Sequence, residues 1–129
     1  MKELLQNHTC AIRTAAGELL TSDARGILPP LQWLREDPAL LRGAEAADRI
    51  VGKAAALLFA HGGVKFLWAE CISESAIAFL DRAGISYAYA ERVERIMNRE
   101  GAGMCPMEQK ALGIDDPAEA FAVFDGMLP

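Results

Sequence analysis

Apolar and polar positions divide the chain into short segments around one long apolar stretch, residues 44–71. Within residues 46–61 the apolar side chains fall at 47, 50, 51, 54, 57 and 58, the spacing of one buried helical face. Ala55, Ala56, Phe59 and Ala60 make the second half apolar all round, which predicts a helix covered on more than one side. Gly62-Gly63 stops it, and the unbroken run 64–69 predicts a buried strand that ends on Glu70-Cys71. A helix from Asp48 to Gly62 advances about 21 Å, and a strand from Val64 to Glu70 about 20 Å. The helix start and the strand end are therefore expected at one edge of the fold, with Asp48, Lys53, Glu70 and Cys71 gathered there. Helical side chains lean toward the N-terminus, which returns the Lys53 amine to that edge.

The flanking pattern predicts the remaining elements. Residues 2–7 read as one or two helical turns. Residues 8–13 and 18–22 read as an antiparallel hairpin around Thr14-Ala15-Ala16-Gly17. A helix is expected over 27–35, with Pro29 and Pro30 in its first turn. Ser73 is placed to cap a helix over 73–83 that Gly84 ends, and a strand follows over 85–90. Strand, helix and strand at this spacing make a βαβ unit with parallel strands and a right-handed crossover. Residues 91–99 read as a polar helix with Val93, Ile96 and Met97 inward. Pro106 opens a helix over 107–112, and Asp115-Asp116-Pro117 starts a last one. The expected fold class is α/β: a three-layer α/β/α sandwich with a mixed sheet.

Composition narrows the classes. A chain of 129 residues with 52% apolar side chains is expected to be a single domain, 1–129, with a full core. The net charge of −5 and the scattering of the thirteen Lys and Arg residues argue against a nucleic-acid partner. No targeting segment is read at the N-terminus, and no apolar run approaches the roughly 18 residues of a membrane span. Cys10, Cys71 and Cys105 are odd in number and far apart, so reduced thiols and a cytoplasmic location are expected.

Three segments carry a resemblance. They are Asp23-Ala24-Arg25-Gly26, the stretch 47–56 (ADRIVGKAAA) and the stretch 98–108 (NREGAGMCPME). Together with the order of elements they resemble the prokaryotic domain of unknown function family 1893 over nearly the whole chain. More broadly, they resemble the cytidine-deaminase-like fold. The resemblance implies a fold and a pocket, not a reaction. Zinc deaminases carry H-x-E at the long helix and P-C-x-x-C after the central strand. Here those places hold Val51-Gly52-Lys53-Ala54 and Glu70-Cys71-Ile72-Ser73, one sulfur where at least three ligands are needed. No metal and no cofactor are therefore expected.

The candidate residues remain a cationic cleft. Lys53, beside Gly52 at a helix start, suits a phosphate or carboxylate; the alternative is a salt bridge to Asp48 or Glu70. Asp48 either meets a ribose hydroxyl or stabilises the helix N-terminus. Glu70, ending a buried strand, stands where α/β sheets bind ligands. Arg25 with Gly26, and Arg99 among the glycines that follow it, are either anion contacts or turn residues. Cys71 is either a nucleophile or a buried thiol. The leading expectation is a small-molecule ligand, a nucleotide or an ADP-ribose-like or other phosphate-bearing compound. The alternatives are a metal-free hydrolase or transferase using Cys71 or Glu70, and a non-catalytic homo-oligomer or regulatory protein.

Overall fold

The computed structural model describes residues 2–97 and 103–129. After a 3-10 turn, Lys2–Leu4, come β1 (Cys10–Arg13), β2 (Leu19–Ser22), α1 (Leu28–Glu36), β3 (Glu45–Val51) and α2 (Lys53–Gly62). Then follow β4 (Phe66–Ser73), α3 (Glu74–Ala83), β5 (Ser86–Val93), α4 (Pro106–Ala111) and α5 (Pro117–Met127). The strands form one mixed sheet in the order β2-β1-β3-β4-β5. β1 runs antiparallel to β2 and β3, while β3, β4 and β5 are parallel.

Several elements form where the local chemistry directs them. In the hairpin turn, the Thr14 amide donates to Glu18 O at 2.9 Å and the Glu18 amide to the Thr14 hydroxyl at 3.0 Å, with Gly17 at φ 91°. Pro29 and Pro30 occupy the first turn of α1, where no intrahelical amide is lost. The Ser73 hydroxyl caps α3 by accepting from the Ala76 amide, and Gly84 closes that helix at φ 73°.

The long helix expected over 46–61 is two elements. Residues 45–51 are the central strand β3, Gly52 is an extended joint, and only 53–62 are helical. The apolar positions at 47, 50 and 51 fit a helical face, but they also fit a strand buried between two neighbours. β3 pairs with β1 on one side and β4 on the other, so sheet pairing decides between the two readings. The β-branched pair Ile50-Val51 before Gly52 is the local sign of the break.

A second difference has the same cause. β4 extends to Ser73, so Glu70 and Cys71 lie inside the strand and not after it. The longer β4 offers Cys71, Ile72 and Ser73 as partners to Glu91, Arg92 and Val93. β5 therefore runs to Val93, and residues 94–97 are not helical where a polar helix over 91–99 was expected. The polar side chains there reflect an edge strand open to solvent.

The two right-handed βαβ units step the same way along the sheet, which puts α2 and α3 on one face. From that face Cys10, Ile12, Ala46, Leu67 and Ala69 enter one core with Leu57, Leu58 and Phe59 of α2, Leu80 of α3 and Phe124 of α5. α2 lies under its fellow helices and buries every side chain from Lys53 to Phe59. On the opposite face Ala11, Ala47 and Trp68 pack against Leu4 and Leu5. Among the described residues the 3-10 turn region is what represents the outer layer expected there. Phe59 is fully buried at the centre of the helical layer, so Phe59→Ala should lower unfolding free energy by about 3–5 kcal/mol in a urea titration.

Candidate functional site

The C-terminal edge of the parallel strands, where ligands bind in open α/β sheets, holds a cavity of about 720 Å³. Its buried wall is Asp48 of β3, the joint Gly52 and Ala55 of α2, with the exposed Ile50 of β3 beside them. Arg25 to Leu28, after the hairpin, form one side; Ile96, Met97 and the segment 105–108 form the other, with Leu128 beside them. Thr9 fixes the first side by donating its hydroxyl to Ser22 O at 2.9 Å and Ala24 O at 2.6 Å. Arg35 fixes the C-terminal wall: its guanidinium donates to the Asp125 carboxylate, to Asp125 O at 3.0 Å, to Leu128 O at 2.7 Å and to Pro129 O at 2.9 Å.

At the start of α2 the free backbone amides attract an anion. The anion is the chain's own. Glu108 Oε2 accepts from the Lys53 amide at 2.8 Å and Oε1 accepts from the Ala54 amide at 2.9 Å. A Cβ on residue 52 would land inside that carboxylate, so glycine is what lets Glu108 reach the helix. Burial pushes the Glu108 carboxyl up, against the pull of the two amides and of Lys53. The Lys53 ammonium is buried as well, 2.8 Å from Asp115 Oδ1 and 3.4 Å from Leu112 O. It does not line the cavity. Arg82 adds a second contact to Asp115 at 3.4 Å, and Lys53 ahead of Arg82 holds the Asp115 carboxyl below its ordinary value.

Asp48 lies in mid-strand and not at a helix start. It is only 4% exposed. Its Oδ2 is the buried side-chain polar atom left without a hydrogen-bond partner among the described residues. Burial pushes its carboxyl well above the usual carboxylate range, although the Arg49 and Ile50 amides favour the ionised form. Directly across the β1–β3 pairing stands Cys10, fully buried, whose thiol is raised by burial first and by Asp48 second.

The other expected site residues are distributed around this edge. Gly52 lines the cavity, and so does Arg25, exposed and without a side-chain partner among the described residues. Glu70 accepts from Arg49 Nη1 at 3.1 Å, and Arg49 also donates to His8 O and Gln6 O. That bridge replaces the expected pairing of Glu70 with Lys53. Cys71 pairs in register with Ile50 outside the cavity lining, and burial, then Glu91 and Glu70, raise its thiol. Arg99 lies outside the described residues. Among those residues no cluster of three or more His, Cys, Asp or Glu side chains could hold a metal ion. Sequence reasoning missed Glu108, Arg49 and Cys10. An acid two residues after Pro106 signals the first turn of α4, but nothing local signals its reach to α2.

The chain is thus an α/β protein whose mixed sheet carries a mostly apolar cavity with a buried acid on its inner wall. A family model described as TM1506, domain of unknown function (DUF1893), matches residues 1–128, and the chain belongs to that family. It is similar to the crystal structure of a DUF1893 family protein (TM1506) from Thermotoga maritima. The two are 25% identical with a TM-score of 0.86, over 95% of this chain and 82% of the other. No curated protein matches.

Two outcomes test the geometry. Glu108→Gln keeps the side-chain size but loses one charged acceptor. It should cost about 1–3 kcal/mol of stability in urea, with Gly52→Ala at least as damaging, since it forces the carboxylate away. For Asp48, a raised native pKa means the folded state holds its proton where the unfolded state has released it. Its contribution is full below the unfolded carboxylate range and is lost as pH rises through the native value. Asp48→Asn should therefore gain stability relative to the wild type as pH is raised from about 4 to 8, read from paired denaturation midpoints.

Proposed function

We propose that this chain binds a small molecule in the cavity at the C-terminal edge of β3, on a cytidine-deaminase-like scaffold without its zinc site. The ligand class we propose is a nucleotide or a related phosphate-bearing compound such as an ADP-ribose-like molecule. An antiparallel hairpin leading into three parallel strands supports the scaffold. The observation that carries the binding reading is Asp48, which lines a cavity of about 720 Å³ and whose buried Oδ2 has no hydrogen-bond partner among the described residues. Cavities of about 300–1,000 Å³ lined by apolar groups with a few polar ones suit small ligands.

The phosphate is assigned to the rim. Lys53 is engaged by Asp115, Arg49 by Glu70 and the N-terminal loop, and the α2 amides by Glu108, so among the described residues the exposed Arg25 beside Gly26 is the cation we assign to it. Metal-free chemistry at Cys71 gets no help from its surroundings, because two acids and burial favour the thiol over the thiolate.

Nucleoside mono- and diphosphates and ADP-ribose should raise the melting temperature of the full chain, and Arg25→Ala should weaken the phosphorylated forms by about five- to tenfold, as loss of a charge-assisted contact does. If phosphorylated and unphosphorylated forms bind alike, or none binds, the phosphate reading fails.

A further inference from the structure

Among the described residues nothing donates to Asp48 Oδ2, and the charged groups near it are engaged elsewhere. Cys10 stands directly across from the acid on β1, yet its thiol makes no hydrogen bond to Oδ2. Arg49, the next residue, turns its guanidinium to Glu70, His8 O and Gln6 O. Lys53 is held by Asp115, and Glu108, the other acid on the cavity wall, is fully used at the start of α2. Ile27, Met97 and Met107 line the same cavity.

From that arrangement we infer that the inner end of the cavity receives the N–H edge of an amidine or an amino-substituted nitrogen heteroaromatic, paired with the Asp48 carboxyl group. This rests on the cavity being a ligand site but not on a phosphate. A purely apolar group would leave Oδ2 buried and unsatisfied, at a cost of about 1–3 kcal/mol. An anionic group would keep Asp48 from ionising and would lie in the same cavity as the Glu108 carboxylate. A hydroxyl offers one donor, whereas an amidine offers two parallel N–H groups that match both carboxyl oxygens. Its positive charge also offsets the burial of an ionised Asp48. Thioethers such as those of Met97 and Met107 pack well on flat aromatic rings, which suits an aromatic body for the same ligand.

Isothermal titration of the full chain with benzamidine and 2-aminopyridine, against benzyl alcohol and benzoate as controls, tests this. Both N–H probes should bind and benzoate should not. Asp48→Asn should weaken benzamidine by about tenfold or more, the scale of a charge-assisted pair. Equal affinity for wild type and Asp48→Asn, or no binding of either N–H probe, overturns the inference. Should Asp48→Asn not fold, the carboxyl 13C resonance of Asp48 in the wild type decides. It should move to the ionised position when benzamidine is added, and an unmoved resonance overturns the inference. Benzamidine carries no phosphate. A benzamidine response together with an Arg25→Ala variant that binds nucleotides normally would reject the phosphate reading and leave this one standing.

Discussion

The Glu108 carboxylate on the first amides of α2 is the contact on which this edge of the molecule depends. It joins two parts of the chain far apart in sequence, and both of its oxygens are used. Without a Cβ at residue 52 the strand β3 can hand over to α2 in one extended step, and the carboxylate can reach the helix directly. That clasp positions α4, and α4 supplies Pro106, Met107 and Glu108 to one wall of the cavity. The cavity therefore exists in its present shape because a chain carboxylate satisfies the helix. A ligand need not.

The charges at the edge divide into two groups. Lys53, Arg49, Glu70, Glu108 and Asp115 are satisfied by one another or by backbone. Their function is cohesion: Arg49 ties β3 to β4 and to the N-terminal loop, and Lys53 ties α2 to the segment before α5. Arg25 and Asp48 stand apart, one exposed at the rim and one buried at the inner wall. A cleft that reads as uniformly cationic from its residue types is polarised in three dimensions, with its cation outside and its acid within.

Most of the fold was legible because its signals are local. The hairpin around Gly17, the prolines opening α1, the Ser73 cap and the Gly84 stop each follow from one or two residues. The edge that carries the cavity was legible too, since the C-terminal edge follows from the βαβ pattern. What was not legible is what non-local pairing decides. Residues 46–51 satisfy a helical face and a doubly flanked strand equally, and only β1 and β4 on either side select the strand. The role of Lys53 was missed for a similar reason: its partner Asp115 is 62 positions away. A lysine at a helix start carries no mark of whether a ligand or a distant carboxylate will meet it.

The placement of Asp48 serves the structure badly. On β3 it sits directly opposite Cys10 and beside Ala69, among side chains that offer it no hydrogen bond. An apolar residue of similar size would fill that position in the sheet without the desolvation that raises the acid. Among the described residues this is a standing cost, which Arg49 and Lys53, both turned elsewhere, do not relieve. A molecule that enters the cavity and donates to Oδ2 recovers that cost as affinity. The unsatisfied acid is thus a stronger indicator of a binding site than any of the paired charges around it.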